Sequence, residues 1–120
     1  MTVLVVAIGA ALGALARHLT QHVVATRRPS RFPWAVLAVN LVGSLLLGAV
    51  VAAAQDGDLP DALATGIGVG FCGALTTYST FSFDTLQLVE ERAYALAAAS
   101  VVLNVVGSVL AAAAGWALFA

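Results

Sequence analysis

The residues best suited to chemistry are hydroxyl side chains that interrupt an apolar stretch in the second half of the chain. They fall between Gly70 and Asp84 and are Thr76, Thr77, Tyr78, Ser79, Thr80 and Ser82. Non-helical backbone at membrane depth occurs only where it is buried in protein or lines a cavity, and helix ends there can hold ions. The run therefore predicts a broken helix with an ion site at the break. The alternative is that each hydroxyl bonds to a carbonyl of its own helix and only kinks it.

Two other apolar stretches share a polar pattern in which an asparagine comes four residues before a serine. Asn40 precedes Ser44, and Asn104 precedes Ser108. At this spacing the amide and the hydroxyl lie on one face of a helix, about one turn apart. An amide in lipid needs a hydrogen-bonding partner, so each asparagine either joins helices, at about 1 kcal/mol, or lines a pore.

The polar groups inside the apolar stretches are amides and hydroxyls rather than acids, since Asp84 is the only carboxylate among them. Neutral donors can replace the water shell of a small anion and still release it, which conduction requires. The edges of phenylalanine rings carry partial positive charge and can add anion contacts. This set of residues favours an anion path.

Arg17 lies inside the first apolar stretch. Its guanidinium either reaches the membrane interface or draws anions to a vestibule, and the sequence leaves both open. His18 and His22 have a spacing that metal sites use, but no third ligand is near, so we interpret them as interfacial polar residues.

The composition predicts a membrane protein. Hydrophobic residues make up 62% of the 120 residues and charged residues only 9%, whereas soluble domains carry roughly 25% charged residues. The net charge is -1 and lysine is absent, so nucleic acid is not an expected partner. The sequence has no serine–histidine–aspartate set, phosphate loop or cysteine-rich metal motif, and an enzyme is not expected.

Four apolar segments are long enough to cross a bilayer core of about 30 Å, which needs roughly 20 residues. They are residues 3–24, 34–54, 62–89 and 94–119, the third broken near 73–79. Helix is the open-ended backbone form that satisfies its own polar groups in lipid. The expected fold is a single all-α transmembrane domain over residues 1–120, with lipid around it, in the cell inner (plasma) membrane.

The arginines of the connecting loops indicate an orientation. Arg27, Arg28, Arg31 and Arg92 fall on one side of the membrane, while the loop before the third span has no arginine. Such a bias places the arginine side in the cytoplasm. Both termini are then expected outside.

Three short runs carry a family resemblance that covers essentially the whole chain. They are Gly70 to Ser82 (GFCGALTTYSTFS), Gly13 to Arg17 (GALAR) and Asn40 to Ser44 (NLVGS). With these runs the chain closely resembles the Fluc (CrcB-type) fluoride channels, and the third-span run is the specific part. The resemblance implies a four-helix subunit that pairs with an oppositely oriented subunit in an antiparallel, dual-topology dimer. It also implies two pores and a structural sodium ion at the dimer centre.

The resemblance further implies roles for single residues. Backbone carbonyls of Gly73 and Thr76 would hold the sodium, and the rings of Tyr78 and Phe81 would line the pores. Together with the polar residues above, the residues expected along the fluoride path are Arg17, Asn40, Tyr78, Thr80, Phe81, Asn104 and Ser108.

The chain departs from the family pattern in two respects. Tyr78 stands where phenylalanine is usual, and its hydroxyl either donates to fluoride or blocks the contact with the ring edge. The arginine bias is stronger than in members that insert in both orientations. We therefore expect a subunit fixed in one orientation that pairs with a different, oppositely inserted subunit, although a homodimer stays open.

The leading interpretation is passive fluoride export that lowers cytoplasmic fluoride. The alternative is a small four-helix proton-coupled multidrug exporter, which needs an acid in its first span, and this first span has none. A purely structural membrane subunit is a third possibility. It predicts that replacing Asn40 or Phe81 leaves ion flux unchanged.

Overall fold

A computed structural model describes residues 1–27 and 31–120, and the described residues form helices without any strand. The long helices are α1 (Thr2–Arg27), α2 (Trp34–Gln55) and α6 (Tyr94–Phe119). Between α2 and α6 lie α3 (Asp61–Thr65), a π-helix (Gly66–Cys72), α4 (Gly73–Leu75) and α5 (Ser79–Glu90). The prediction of an all-helical chain is confirmed.

The three long helices are each long and apolar enough to cross a membrane. Their exposed side chains are largely leucine and valine, as on the outer faces of α1 and α6. Such a surface is costly in water and suits lipid, where backbone hydrogen bonds must be made inside the helix. Residues 61–90 fold as shorter pieces, and we call them the third span after the apolar segment predicted there.

Glycines bring α1 against the first half of the third span. A side chain at Gly9 would meet the carbonyl oxygen of Gly66, and one at Gly13 would meet that of Phe71. In the reverse direction, a Cβ at Gly70 would lie 2.6 Å from the carbonyl oxygen of Val6. The missing side chains let the two backbones touch, which is how small residues hold helices together in lipid.

The other close pair is α2 with α6, and these two helices run in the same direction. Asn40 bonds to Asn104, 64 residues later in the chain, and Gly48 meets Ala112 at the same separation. Gln55 at the far end of α2 accepts a hydrogen bond from the Trp116 indole at 3.2 Å. Because partners follow the same order along both helices, the asparagine–serine patterns of α2 and α6 stand in register.

Two arginine-bearing turns lie at one end of the molecule. Arg31, just before α2, donates to Glu91, just after α5, at 3.1 Å, and Arg92 follows with a left-handed backbone at φ 61°. Arg28 lies outside the described residues. The acidic turn between α2 and α3, which contains Gly57 at φ 78°, follows the opposite end of α2.

Candidate functional site

The third span changes backbone conformation at Thr76. Helix α4 ends at Leu75, Thr76 is extended with φ -74° and ψ 153°, and α5 begins at Ser79. Both the amide of Thr76 and its hydroxyl donate to the carbonyl oxygen of Cys72, at 3.0 and 2.9 Å. The side chain of Thr76 thus caps the C-terminal end of α4.

An asparagine from α2 takes the first amide after this helix end. In a continuous helix the amide of Thr77 would donate to the carbonyl of Gly73, four residues earlier. Here it donates to Oδ1 of Asn40, at 3.0 Å. Asn40 therefore occupies the amide that would otherwise satisfy Gly73.

The second amide is taken by a side chain of the third span itself. The amide of Thr80 would reach the carbonyl of Thr76 in a continuous helix, but it donates to Oγ1 of Thr77, at 3.2 Å. This hydroxyl-to-amide contact is of the kind that caps helix N-termini. Within the described residues, no donor then reaches the carbonyl oxygens of Gly73 and Thr76.

The amides of α2 and α6 form a partly buried chain of hydrogen bonds. Nδ2 of Asn40 donates to Oδ1 of Asn104, and Nδ2 of Asn104 donates to the carbonyl of Ser100, both at 2.8 Å. The hydroxyl of Ser100, a residue with no exposed surface, lies 3.4 Å from Oγ1 of Thr85 on α5. Buried polar groups need such partners, so the chain fixes the orientation of the Asn40 amide.

A cleft of about 370 Å³ opens beside the interruption. It is bounded by α2, α6 and the third span, and no charged side chain is among its described lining residues. The lining consists of Asn40, Gly43, Ser44, Leu47, Gly68, Cys72, Gly73, Thr76, Thr77, Tyr78, Phe81, Asn104, Val105 and Ser108. Amides, hydroxyls, backbone and ring edges are therefore the groups that can contact an ion in it.

Two aromatic rings stand at the cleft. The rings of Tyr78 and Phe81 have centroids 6.2 Å apart and are tilted by 53°. Phe81 is half-buried, whereas Tyr78 is 81% exposed. One wall of the cleft is thus an open surface of the subunit.

Comparison with known proteins assigns the family. The family described as "CrcB-like protein, Camphor Resistance (CrcB)" matches residues 4–116. The chain belongs to the CrcB family. A protein of Frankia casuarinae named Fluoride-specific ion channel FluC 1 is 50% identical to it, over 93% of this chain and 88% of that protein.

Two further relatives bear similar names. Fluoride-specific ion channel FluC 1 of Streptomyces avermitilis is 44% identical, over 96% of this CrcB chain and 93% of its own length. Fluoride-specific ion channel FluC of Shewanella frigidimarina is 44% identical, over 86% of this chain and 83% of its own length. Together with the long apolar helices, the family makes this chain a membrane protein.

Most of the residues singled out in this CrcB sequence come together at the cleft. The lining includes Asn40, Gly73, Thr76, Tyr78, Phe81, Asn104 and Ser108. Thr80 is not a lining residue, but its amide contacts Thr77, which is one. Arg17 is half-buried on α1 and does not line the cleft.

Sequence reasoning did not select Thr77 or Ser44 as site residues of the CrcB chain. Thr77 is 7% exposed and joins Asn40 to the start of α5. A threonine shortly before the start of a helix is a residue type that caps helix N-termini, and this could have identified it. Ser44 lines the cleft one turn after Asn40, and the asparagine–serine pattern already contained it.

Asp84 lies away from the CrcB cleft. It borders a second pocket of about 310 Å³ together with Arg31, Pro33, Gln87, Leu88 and Glu91. The carboxylate of the third span is therefore grouped with the arginine end of the molecule rather than with the neutral cleft.

Proposed function

We propose that this CrcB chain is a subunit of a fluoride channel, which lets fluoride leave the cytoplasm passively and so lowers its concentration there. The observation that carries the proposal is the neutral cleft at the interruption of the third span. The names of the relatives support fluoride as the ion and a channel, rather than an enzyme, as the class of protein.

The donors at the cleft suit a small anion that must also leave. Asn40 has used its carbonyl oxygen and one amide hydrogen, so its second amide hydrogen is available to an ion. Ser108 and Tyr78 add hydroxyl groups, and Phe81 adds a ring edge. Because none of these groups carries a full charge, the ion is held without becoming trapped.

The remaining residues have supporting places in the proposed path. Asn104 is 5% exposed and acts on the ion mainly by orienting Asn40. Thr80 lies beside the path and supplies the amide that Thr77 caps. Arg17, outside the cleft, serves as the basic residue of a vestibule, where its charge attracts fluoride.

We infer that the subunit works as an antiparallel dimer. Tyr78 is 81% exposed and Gly73 is also exposed, so the site of a single subunit is open on one face. A second, oppositely oriented subunit would close it. The arginine bias favours a paralogous partner over a second copy of this chain. A subunit fixed in one orientation cannot supply both of the opposite orientations that an antiparallel dimer needs.

The same face fits a sodium ion held by Gly73 and Thr76. Their carbonyl oxygens have lost their helical donors to Asn40 and Thr77, and a Cβ at Gly73 would meet nothing within 4 Å. Uncharged oxygens that face open space at a helix end suit a hard monovalent cation. When bound, the ion would supply a fixed positive charge beside these two carbonyls.

The proposed function is tested by fluoride efflux from liposomes that contain the chain purified together with the oppositely oriented subunit with which it pairs, with a fluoride electrode outside. We expect rapid release of fluoride, no matching release of chloride, and loss of release when Phe81 is changed to Ala. Folded, assembled dimer in the liposomes without fluoride release would contradict the channel, whereas release from the chain alone would show that it pairs with a second copy of itself.

The orientation is tested separately in living cells. A reporter that works only outside the cytoplasm and one that works only inside are fused in turn to the C-terminus. We expect activity of the outside reporter alone. Equal activity of both would contradict a fixed orientation and would favour the homodimer.

A further inference from the structure

The parallel arrangement of α2 and α6 gives each residue of one polar pattern a counterpart in the other. Asn40 is bonded to Asn104 across the pair, and Gly48 meets Ala112 at the same separation of 64 residues. At that separation Ser44 of α2 stands level with Ser108 of α6. Both serines line the same cleft.

Several threonine hydroxyls of this chain are already engaged. A serine or threonine inside a helix commonly bonds to the carbonyl four residues earlier. Thr20 and Thr65 do so, both at 2.8 Å, and Thr76 makes the same contact just after the end of α4, at 2.9 Å. Thr77 is engaged too, because it accepts the amide of Thr80.

Ser44 and Ser108 differ from these hydroxyls. Among the described residues, neither serine hydroxyl takes part in a hydrogen bond with another protein group. A serine hydroxyl in an apolar helix that does not donate to the carbonyl four residues earlier needs another partner. At the cleft this partner is either water or an ion. The two serines are therefore the uncommitted hydroxyls that α2 and α6 offer to this cavity.

We propose that Ser44 is a further fluoride-contacting hydroxyl, which acts at the level of Ser108 so that both helices of the parallel pair donate to the ion. This inference rests on the proposed fluoride channel and adds a residue that determines its rate and selectivity. A donor on each helix lets the ion exchange partners across the cleft without a fixed charge.

The experiment measures fluoride efflux per assembled dimer for the wild-type chain, Ser44→Ala, Ser108→Ala and Ser44→Thr. One hydrogen bond to a charged group corresponds to about a tenfold change or more, so we expect Ser44→Ala and Ser108→Ala each to lower efflux by about tenfold. Ser44→Thr keeps the hydroxyl and is expected to restore most of the rate. Thr20→Val is the matched control, since its hydroxyl bonds to Ala16 and borders a different, apolar cavity.

The outcomes separate the inference from the proposed function. Wild-type efflux by Ser44→Ala, with Ser108→Ala impaired, overturns the role of Ser44 and leaves the channel intact. A Ser44→Ala chain that only assembles less, with unchanged efflux per dimer, assigns Ser44 to packing and also overturns it. No efflux from the folded, assembled wild-type channel overturns the channel and this inference with it. Loss of efflux in Thr20→Val as large as in Ser44→Ala would show that the loss does not report an ion contact, and it would overturn the inference alone.

A further variant covers the case in which Ser44→Ala does not assemble. Ser44→Cys keeps the size of the side chain but replaces the hydroxyl by a weak donor. Reduced efflux per dimer supports the proposal, and wild-type efflux overturns it.

Discussion

α1 meets the third span and α2 meets α6 in the same way, through glycines whose missing side chains let two backbones touch. At the first contact, Gly13 lies against Phe71 and Gly70 against Val6, and the cavity beside it is lined by apolar residues. At the second, Gly48 lies against Ala112, and two turns away Asn40 is bonded to Asn104. One contact holds helices together, whereas the other also carries the polar groups of the cleft.

The difference shows that small-residue spacing alone says little about function. Both pairs have it, but only α2 and α6 place amides and hydroxyls next to the interruption of the third span. The functional information lies in the polar residues that follow the same face as the glycines. Four changes test this division between adhesion and polar function.

The largest effect is expected from filling an adhesive contact. A Cβ at Gly70 would lie 2.6 Å from the carbonyl oxygen of Val6, so Gly70→Ala must push α1 away from the third span. We expect about 3 kcal/mol of destabilisation, or failure to fold, measured by unfolding of the purified protein in detergent. Gly68→Ala is the control on the same π-helix, because its Cβ would meet a leucine methyl at 3.4 Å, an ordinary contact. Equal stability of the two variants would contradict the adhesive role.

The second change removes the polar contact without filling space. Asn40→Leu takes away the acceptor of the Thr77 amide and the partner of Asn104. We expect fluoride efflux to fall by about a hundredfold, since an ion contact and the shape of the interruption are lost together. Gly48→Ala should instead lower the amount of folded protein. If both variants lost flux only in proportion to folded protein, the proposed division would fail.

The third effect concerns sodium. Replacing sodium by N-methylglucamine should lower the melting temperature of the dimer by several degrees, because the carbonyls of Gly73 and Thr76 lose their cation. In Asn40→Leu the Thr77 amide is free to return to Gly73, so the same exchange should have little effect. If the wild-type dimer had the same melting temperature in sodium and in N-methylglucamine, the cation site would be contradicted.

The smallest effect belongs to the arginine end. Arg31 and Glu91 are 59% and 47% exposed, and exposed ion pairs contribute about 0–1 kcal/mol. Glu91→Gln should change the unfolding free energy by less than about 1 kcal/mol, and by less still at high salt. A loss as large as that of Gly70→Ala would show that this turn, too, is essential to the fold.

Much of the fold could be predicted because lipid allows few solutions. Long apolar runs can only be helices there, and the long helices α1, α2 and α6 lie where three of the four apolar segments predicted them. The shared asparagine–serine spacing also predicted which face of α2 and α6 is polar. These features depend on residues near one another in the sequence.

The remaining features depend on partners distant in the sequence. The π-helix from Gly66 to Cys72 forms where the third span is pressed against α1, and no local signal specifies it. The bond from Thr77 to Asn40 joins residues 37 apart, and the one from Asn40 to Asn104 joins residues 64 apart. Their existence follows from the packing of α2 between the third span and α6, which hydropathy does not reveal. The path and cation roles of single residues stay predictions until flux is measured.

The hydrogen bond from the Thr77 amide to Asn40 has a consequence for biogenesis. Before α2 is alongside, this amide has no asparagine to meet, and in lipid it would bond to Gly73 within a straight helix. The third span is then expected to enter the bilayer as a continuous helix. Its interruption at Thr76 would form only when the other helices pack around it. The ion path would be created late, by tertiary assembly, so that a newly inserted and unassembled chain would not leak.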